Sequence, residues 1–226
     1  MLTIIFGALG IAASVYLNLS PIPSLKRAYK TKDIKEISQA YLTIASLNFA
    51  LWTLYGIKAD LIEVFIGNLI CFCLSTIWIC TYHGIKGDWI IYIPIYIISM
   101  SSLLVVLYIF CPKLILGLLG IGATVLMYGA PIERIIPALK YKDYSYIDVW
   151  ILTALIFNAA SWIIYGVIVD DWLILAPNIA GLIFTIFQLI LYLWARSLIS
   201  CGLFTMISKK LNYKSLEDGE NENDNN

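Results

Sequence analysis

Charged side chains are scarce in this chain: 13% of its 226 residues are Asp, Glu, Lys or Arg, while 61% are hydrophobic. A soluble domain is roughly a quarter charged and roughly half apolar, so the composition excludes a water-covered globule and points to the lipid bilayer. The 15 basic and 15 acidic residues cancel; there is no cationic surplus, and no nucleic-acid partner is expected. Histidine is nearly absent. His83 stands alone, and the chain has no HExxH, GxGxxG or GKS/T motif, so no metal site, no cofactor and no enzymatic chemistry are expected. The five cysteines (Cys71, Cys73, Cys80, Cys111, Cys201) contain no CxxC pair. Three of them lie in one apolar stretch, where a thiol acts as a small buried hydrophobe. No Lys or Arg precedes Lys26, so Met1 to Ser20 lacks the basic n-region of a cleaved signal peptide and reads as a membrane span.

What the chain does have is a repeat. Adding 110 to the residue number carries Pro21 to Pro131, Lys30 to Lys140, Lys32 to Lys142 and Asp33 to Asp143 without a gap. The register continues through Asn48 and Asn158, Trp52 and Trp162, Tyr55 and Tyr165, Gly56 and Gly166, and Asp60 and Asp170, ending at Asn68 and Asn178. A period this long fits a duplicated half of a domain rather than a solenoid.

A membrane span needs about 20 mostly apolar residues, and seven stretches qualify, roughly 3–24, 38–57, 62–82, 89–110, 114–137, 147–168 and 172–195. The fourth has no counterpart in the other half. The expected fold is therefore an all-α membrane protein with seven transmembrane helices, arranged as two parallel three-helix-bundle repeats joined by a linker helix (3+1+3). The expected divisions are residues 1–86, the linker 87–112, the second bundle 113–196 and a tail 197–226. From Glu217 onward that tail is acidic, asparagine-rich and without apolar residues, too polar to fold alone. Lys26 to Lys35, Arg134 to Lys142 and the bases after Arg196 fall on one side, facing Lys58, Lys113, Asp60, Asp170 and Asp171 on the other. The positive-inside rule then puts the N-terminus outside and the C-terminus in the cytoplasm. His83, Lys86 and Asp88 fall in the loop between the third and fourth spans.

Without an extramembrane domain, function must reside in polar groups inside the bundle, where they are costly. Asn68 and Asn178 occupy matched mid-span positions. A neutral amide pair suits a neutral polyhydroxyl solute, but such amides also tie helices together. Trp52 and Trp162 form a second pair. Residues 48, 52 and 55 share one helix face by spacing, as do 158, 162 and 165, and indole faces stack on sugar C–H surfaces. Tyr55 and Tyr165, near the span ends, fit either that site or the ordinary interfacial belt. Pro21 and Pro131 each remove a backbone donor near a span end, which serves either a hinge or a simple bend.

These residues resemble a known family. Ser20-Pro21 with Lys30-Thr31-Lys32, Ala130-Pro131 with Lys140-Tyr141-Lys142, Trp-x-x-Tyr-Gly at 52–56 and 162–166, and Ala176-Pro177-Asn178-Ile179-Ala180-Gly181 look like the SWEET sugar transporters. These form the MtN3/saliva family within the PQ-loop superfold, and the similarity runs over about residues 5 to 195. The resemblance implies facilitated diffusion of mono- or disaccharides by alternating access, without a required ion gradient, and homo-oligomers. It also implies that Asn68 and Asn178 bind substrate, that Trp52 and Trp162 sandwich the sugar, and that Tyr55 and Asp171 lie where the family closes its extracellular gate. Pro21 and Pro131 match two of four prolines attributed to switching; Tyr41 and Asp148 stand at the other two places. The expected partners are a small neutral sugar and the bilayer, in the plasma membrane or an endomembrane such as the Golgi.

Two alternatives share the superfold. A proton-coupled amino-acid transporter would show Pro-Gln pairs, where this chain has Pro21-Ile22 and Pro131-Ile132, and would carry a deep acid, whereas Glu63, Glu133 and Asp148 lie near span ends. A cargo receptor for a peptide carboxylate would want arginines within the bundle, and only Arg27 and Arg134 come near.

Overall fold

The computed structural model describes residues 1–34, 37–129, 132–144, 147 and 149–211, and among them there is no β-strand. The helices are α1 (Leu2–Asn18), α2 (Ile22–Thr31), α3 (Gln39–Lys58), α4 (Ile62–Lys86), α5 (Trp89–Phe110), α6 (Lys113–Gly129), α7 (Ile132–Tyr141), α8 (Val149–Ile168) and α9 (Trp172–Ala195). A further helix, α10, spans residues 202–211. Leu2–Thr31, α3, α4, α5, α8 and α9 are each long and apolar enough to cross a bilayer; α6 is a shorter apolar helix. The protein is an integral membrane protein built from helices, the one open-ended structure that satisfies every backbone group in lipid.

The first expected span is not one continuous helix. α1 ends at Asn18, and the chain turns through Ser20 N–H to Leu17 O (3.1 Å) before helix resumes with Leu25 N–H to Pro21 O (2.9 Å). Proline suits a first turn, where its missing N–H costs nothing, so Pro21 starts α2 rather than bending α1. Of the fifth span the structure describes α6 and α7; Ala130 and Pro131, between them, lie outside the described residues. His83 and Lys86, expected in a loop, form the last turn of α4. Asp88 follows, bonding Lys86 Nζ at 2.7 Å and His83 Nδ1 at 2.6 Å. Beyond the last span, α10 packs on α9; the acidic end of the tail, from Glu217, lies outside the described residues.

Duplication extends to the backbone. Lys32 and Lys142 have φ of 59° and 50°, and Asp60 and Asp170 have 56° and 53°. Each aspartate sits in a three-residue link between long helices, a left-handed position that Asp tolerates better than most side chains. The links close alike, with Leu61 N–H to Gly56 O at 3.0 Å and Asp171 N–H to Gly166 O at 2.9 Å. Gly56 is required there, because a Cβ would stand 2.5 Å from the backbone nitrogen of Phe65.

Helix α4 packs between α1 and α3, and α9 between α6 and α8. The two triplets then meet crosswise, α1 on α8 and α3 on α6. Small residues permit this approach: Gly7, Gly10 and Ala13 are the buried residues of α1, and Gly117, Gly120 and Ala123, each 110 further on, are buried in α6. In lipid, where apolar burial does not drive helix association, close backbone approach at small residues does. Linker α5 packs on α4 and α3, pinned by the Tyr96 hydroxyl 2.5 Å from that of Ser46.

Candidate functional site

A cavity of about 510 Å³ lies between the triplets, and Trp52, Trp162, Asn68, Asn178 and Pro21 all line it. The helical spacing that puts Asn48, Trp52 and Tyr55 on one face of α3 aims that face at α6, and the face of Asn158, Trp162 and Tyr165 on α8 meets α1. Each indole stands edge-on to the tyrosine one turn away, with centroids 5.4 Å apart in both copies and interplanar angles of 80° and 78°.

The polar ties of the two copies match as well. Trp52 Nε1–H donates to Thr124 Oγ1 at 3.2 Å, and that hydroxyl is 2.8 Å from Asn48 Oδ1. In the other copy Trp162 Nε1–H donates to Ser14 Oγ at 3.2 Å, and Asn158 Nδ2–H donates to the same oxygen at 2.7 Å. Ser14 and Thr124 are themselves 110 apart. Each tie crosses between triplets, so the indole ring planes are set by the opposite half of the molecule.

Asn68 and Asn178 behave differently. Their Nδ2 groups donate to carbonyls of their own helices, Val64 O at 2.8 Å and Ile174 O at 2.7 Å. No interhelical bond of the kind that would merely pack the bundle is formed by either amide among the described residues. One N–H of each amide is spent fixing the rotamer, while among the described residues no protein group bonds either Oδ1. An acceptor and a second donor on each side thus face the cavity.

At the hairpin end, beside Asp60 and Asp170, the cavity is shut. Tyr55, Tyr165 and Leu116 are each 0% exposed in an apolar cluster with Leu173 and Ile174. Such burial removes both tyrosines from the interfacial belt. The Tyr55 hydroxyl donates to Asp171 Oδ2, and the Tyr165 hydroxyl donates to Glu63 Oε2 at 3.0 Å. Both bonds run between triplets. The Asp171 carboxylate is held by a second contact, Leu173 N–H to its Oδ1 at 3.0 Å. Towards the opposite, basic end the lining reaches the exposed Ser20 and Ser38, so the cavity opens there. Tyr41 lines it on that side; Pro131 and Asp148 lie outside the described residues.

Sequence reasoning passed over several of these residues. Ser14, Thr124, Gly10 and Gly120 obey the same offset of 110 that marked the tryptophans, and carrying the comparison before Pro21 would have found them. Gly10 and Gly120 are where the indoles lie, since a Cβ at either would stand 2.7 Å from Trp162 or 2.9 Å from Trp52. Glu63 had no such signal, because its counterpart is Leu173, just as that of Asp171 is Leu61. Asn18 and Trp78 also break the repeat, standing 110 before Tyr128 and Gln188, while their partner Ser75 stands 110 before Thr185. The Asn18 amide donates to Ser75 Oγ at 3.2 Å and its Oδ1 accepts from Trp78 Nε1 at 3.0 Å, placing three more polar groups on the lining.

Comparison with known proteins bears on the family and the fold. The family described as "Sugar efflux transporter for intercellular exchange", MtN3/saliva, matches residues 4–88 and 114–197. Bidirectional sugar transporter SWEET10 of Arabidopsis thaliana is 24% identical over 204 residues, covering 85% of this chain and 71% of the relative. SWEET5 of the same plant is 26% identical over 84% of both chains. SWEET4 is 28% identical over 83% of this chain and 80% of its own. The solved structure of a eukaryotic SWEET transporter superposes with a TM-score of 0.77 at 20% identity, covering 87% of this chain and 97% of that one, a likeness of fold.

Proposed function

This chain belongs to the MtN3/saliva family, and from that premise we propose that it is a bidirectional facilitative transporter of a small neutral mono- or disaccharide. The observation that carries the proposal is the about 510 Å³ cavity, lined by both asparagines and both tryptophans and shut at one end only. Its size falls within the roughly 300–1,000 Å³ of small-molecule sites. Among the described residues, no Asp, Glu, Lys or Arg lines it, which supports a neutral solute over an amino acid or a peptide carboxylate.

In this reading the amides of Asn68 and Asn178 bond sugar hydroxyls while the indoles of Trp52 and Trp162 cover the C–H faces. The moving units are residues 1–86 and 113–196, linked by 87–112. They rock about the small-residue seams, so that breaking the Tyr55–Asp171 and Tyr165–Glu63 bonds opens the hairpin end as the basic end closes. Pro21 and Pro131 mark the joints. The basic loops face the cytoplasm, the N-terminus lies outside, and several copies assemble through lipid-facing surface.

Proteoliposomes holding the purified chain test this directly. Radiolabelled glucose or sucrose should equilibrate across the membrane from either direction, equally at pH 5.5 and 7.5 without an imposed proton gradient. Absence of uptake for both sugars, or uptake only with a proton gradient, would overturn the uniporter reading.

A further inference from the structure

Just past α9 the chain folds back on itself. The last span ends at Ala195, Ser197 takes a left-handed φ of 62°, and α10 follows at 202–211. Phe204 is 3% exposed, its ring 5.4 Å from that of Phe187 and 5.7 Å from that of Trp194. Phe187 lies eight residues before the end of α9, about 12 Å along the helix at ~1.5 Å per residue. Because α9 has 24 residues, about 36 Å against about 30 Å of hydrocarbon, the foot of a centred α9, where Trp194 meets Phe204, would lie at the boundary of acyl chains and headgroups.

Helical periodicity divides the surface of α10. Phe204, Ile207 and Leu211 face the protein. Leu203 and Met206, 62% and 71% exposed, lie on one flank. Thr205 and Lys209 lie on the other, four residues apart. That second flank borders a separate cavity of about 330 Å³, lined by Lys142, Trp194, Ser197, Ser200 and Thr205, with Leu198 and Ile199 at its lip. Lys142 Nζ is 5.5 Å above the Trp194 ring, whose Nε1–H donates to Thr205 Oγ1 at 3.2 Å. Among the described residues no acid lines this cavity, although Asp143 follows Lys142 in the chain.

Two exposed apolar side chains at the level of lipid, beside a cationic and hydroxyl-lined hollow, make a surface matched to an amphiphile. We propose that the foot of α9 together with α10 is a binding site for an anionic phospholipid. The phosphate-bearing headgroup occupies the hollow lined by Lys142, Ser200 and Thr205, with Lys209 one turn further along α10 on the same flank, while Leu203 and Met206 enter the acyl layer, as an interfacial helix does.

Native mass spectrometry of the detergent-solubilised full chain, titrated with phosphatidylglycerol or phosphatidylcholine of identical acyl chains, tests the site. Phosphatidylglycerol should be retained in preference. Lys142→Gln and Lys209→Gln should each lower its retention about fivefold, the usual weight of one surface cation near anionic lipid, while Lys142→Arg keeps it. Equal retention of both lipids, or undiminished phosphatidylglycerol in both glutamine variants, would overturn the proposal. Displacement of the lipid by millimolar inorganic phosphate would also overturn it, since the hollow would then be a site for free anions. The readout is bound lipid mass, so it stands apart from any result on sugar flux.

Discussion

Tyr55 on α3 donates its hydroxyl to Asp171 at the start of α9, across 116 residues of chain and from one triplet to the other. Tyr165 mirrors it in direction, donating to Glu63 at 3.0 Å. The tyrosines obey the repeat, but the acids are displaced within it by two residues, since Asp171 stands 110 after Leu61 and Glu63 stands 110 before Leu173. Two crossed bonds thus join the triplets at the hairpin end.

Loosening that closure should expose the cavity from the hairpin end. A hydrogen bond to a carboxylate contributes about 1.5–3 kcal/mol, so Asp171→Asn or Glu63→Gln should raise the open fraction about tenfold or more. The measurement is the rate at which an impermeant thiol reagent, applied from that side, modifies Val64→Cys, at a position 2% exposed on the cavity wall. Unchanged labelling in the double variant would remove these bonds from the gate.

The central asparagines should affect binding more than folding. Asn68→Ala and Asn178→Ala each lose a bond only to a carbonyl of their own helix, so the melting temperature should move little. Sugar hydroxyls would lose a donor and an acceptor, at about 1–3 kcal/mol. Sugar titrations followed by tryptophan fluorescence should show affinity reduced about tenfold or more in either variant. A large fall in melting temperature with unaltered affinity would make the amides structural.

Glycines under the indoles should tolerate nothing larger. Gly10→Ala and Gly120→Ala place a methyl 2.7 Å from Trp162 and 2.9 Å from Trp52, and overpacking of this kind costs about 1–3 kcal/mol. Gly84→Ala is the control, because nothing lies within 4 Å of its Cβ, and an alanine in a helix gains up to about 1 kcal/mol over glycine. Thermal unfolding should therefore separate the variants in opposite directions.

Acid should weaken the junction of α4 and α5. Lys86 at 2.7 Å, then His83 at 2.6 Å, holds the Asp88 carboxyl below the usual carboxylate range. A carboxyl whose folded pKa is depressed stabilises the protein above its unfolded value of about 4 and loses that contribution as pH falls through the folded value. Asp88→Asn should melt earlier than the parent at pH 6, with the gap closing below about pH 4 in a series of melting curves.

Membership of the bilayer, the helical class and the paired residues were all legible in the chain, because a hydrocarbon solvent fixes span length and composition almost by itself and a duplication repeats side chains in register. From the offset of 110 alone, Trp52 with Trp162 and Asn68 with Asn178 could be named as partners. Only the tertiary structure decided that α1 faces α8 and α3 faces α6, that Tyr55 and Tyr165 are buried rather than interfacial, and that Glu63 answers Asp171 from an unmatched position. The division of labour between amides was equally hidden: Asn48 and Asn158 tie triplets together, while Asn68 and Asn178 bond their own helices and keep their oxygens for the cavity. Which faces meet in lipid depends on close packing at small residues such as Gly10 and Gly120, which meet indoles 152 and 68 residues away along the chain, contacts that no local pattern encodes.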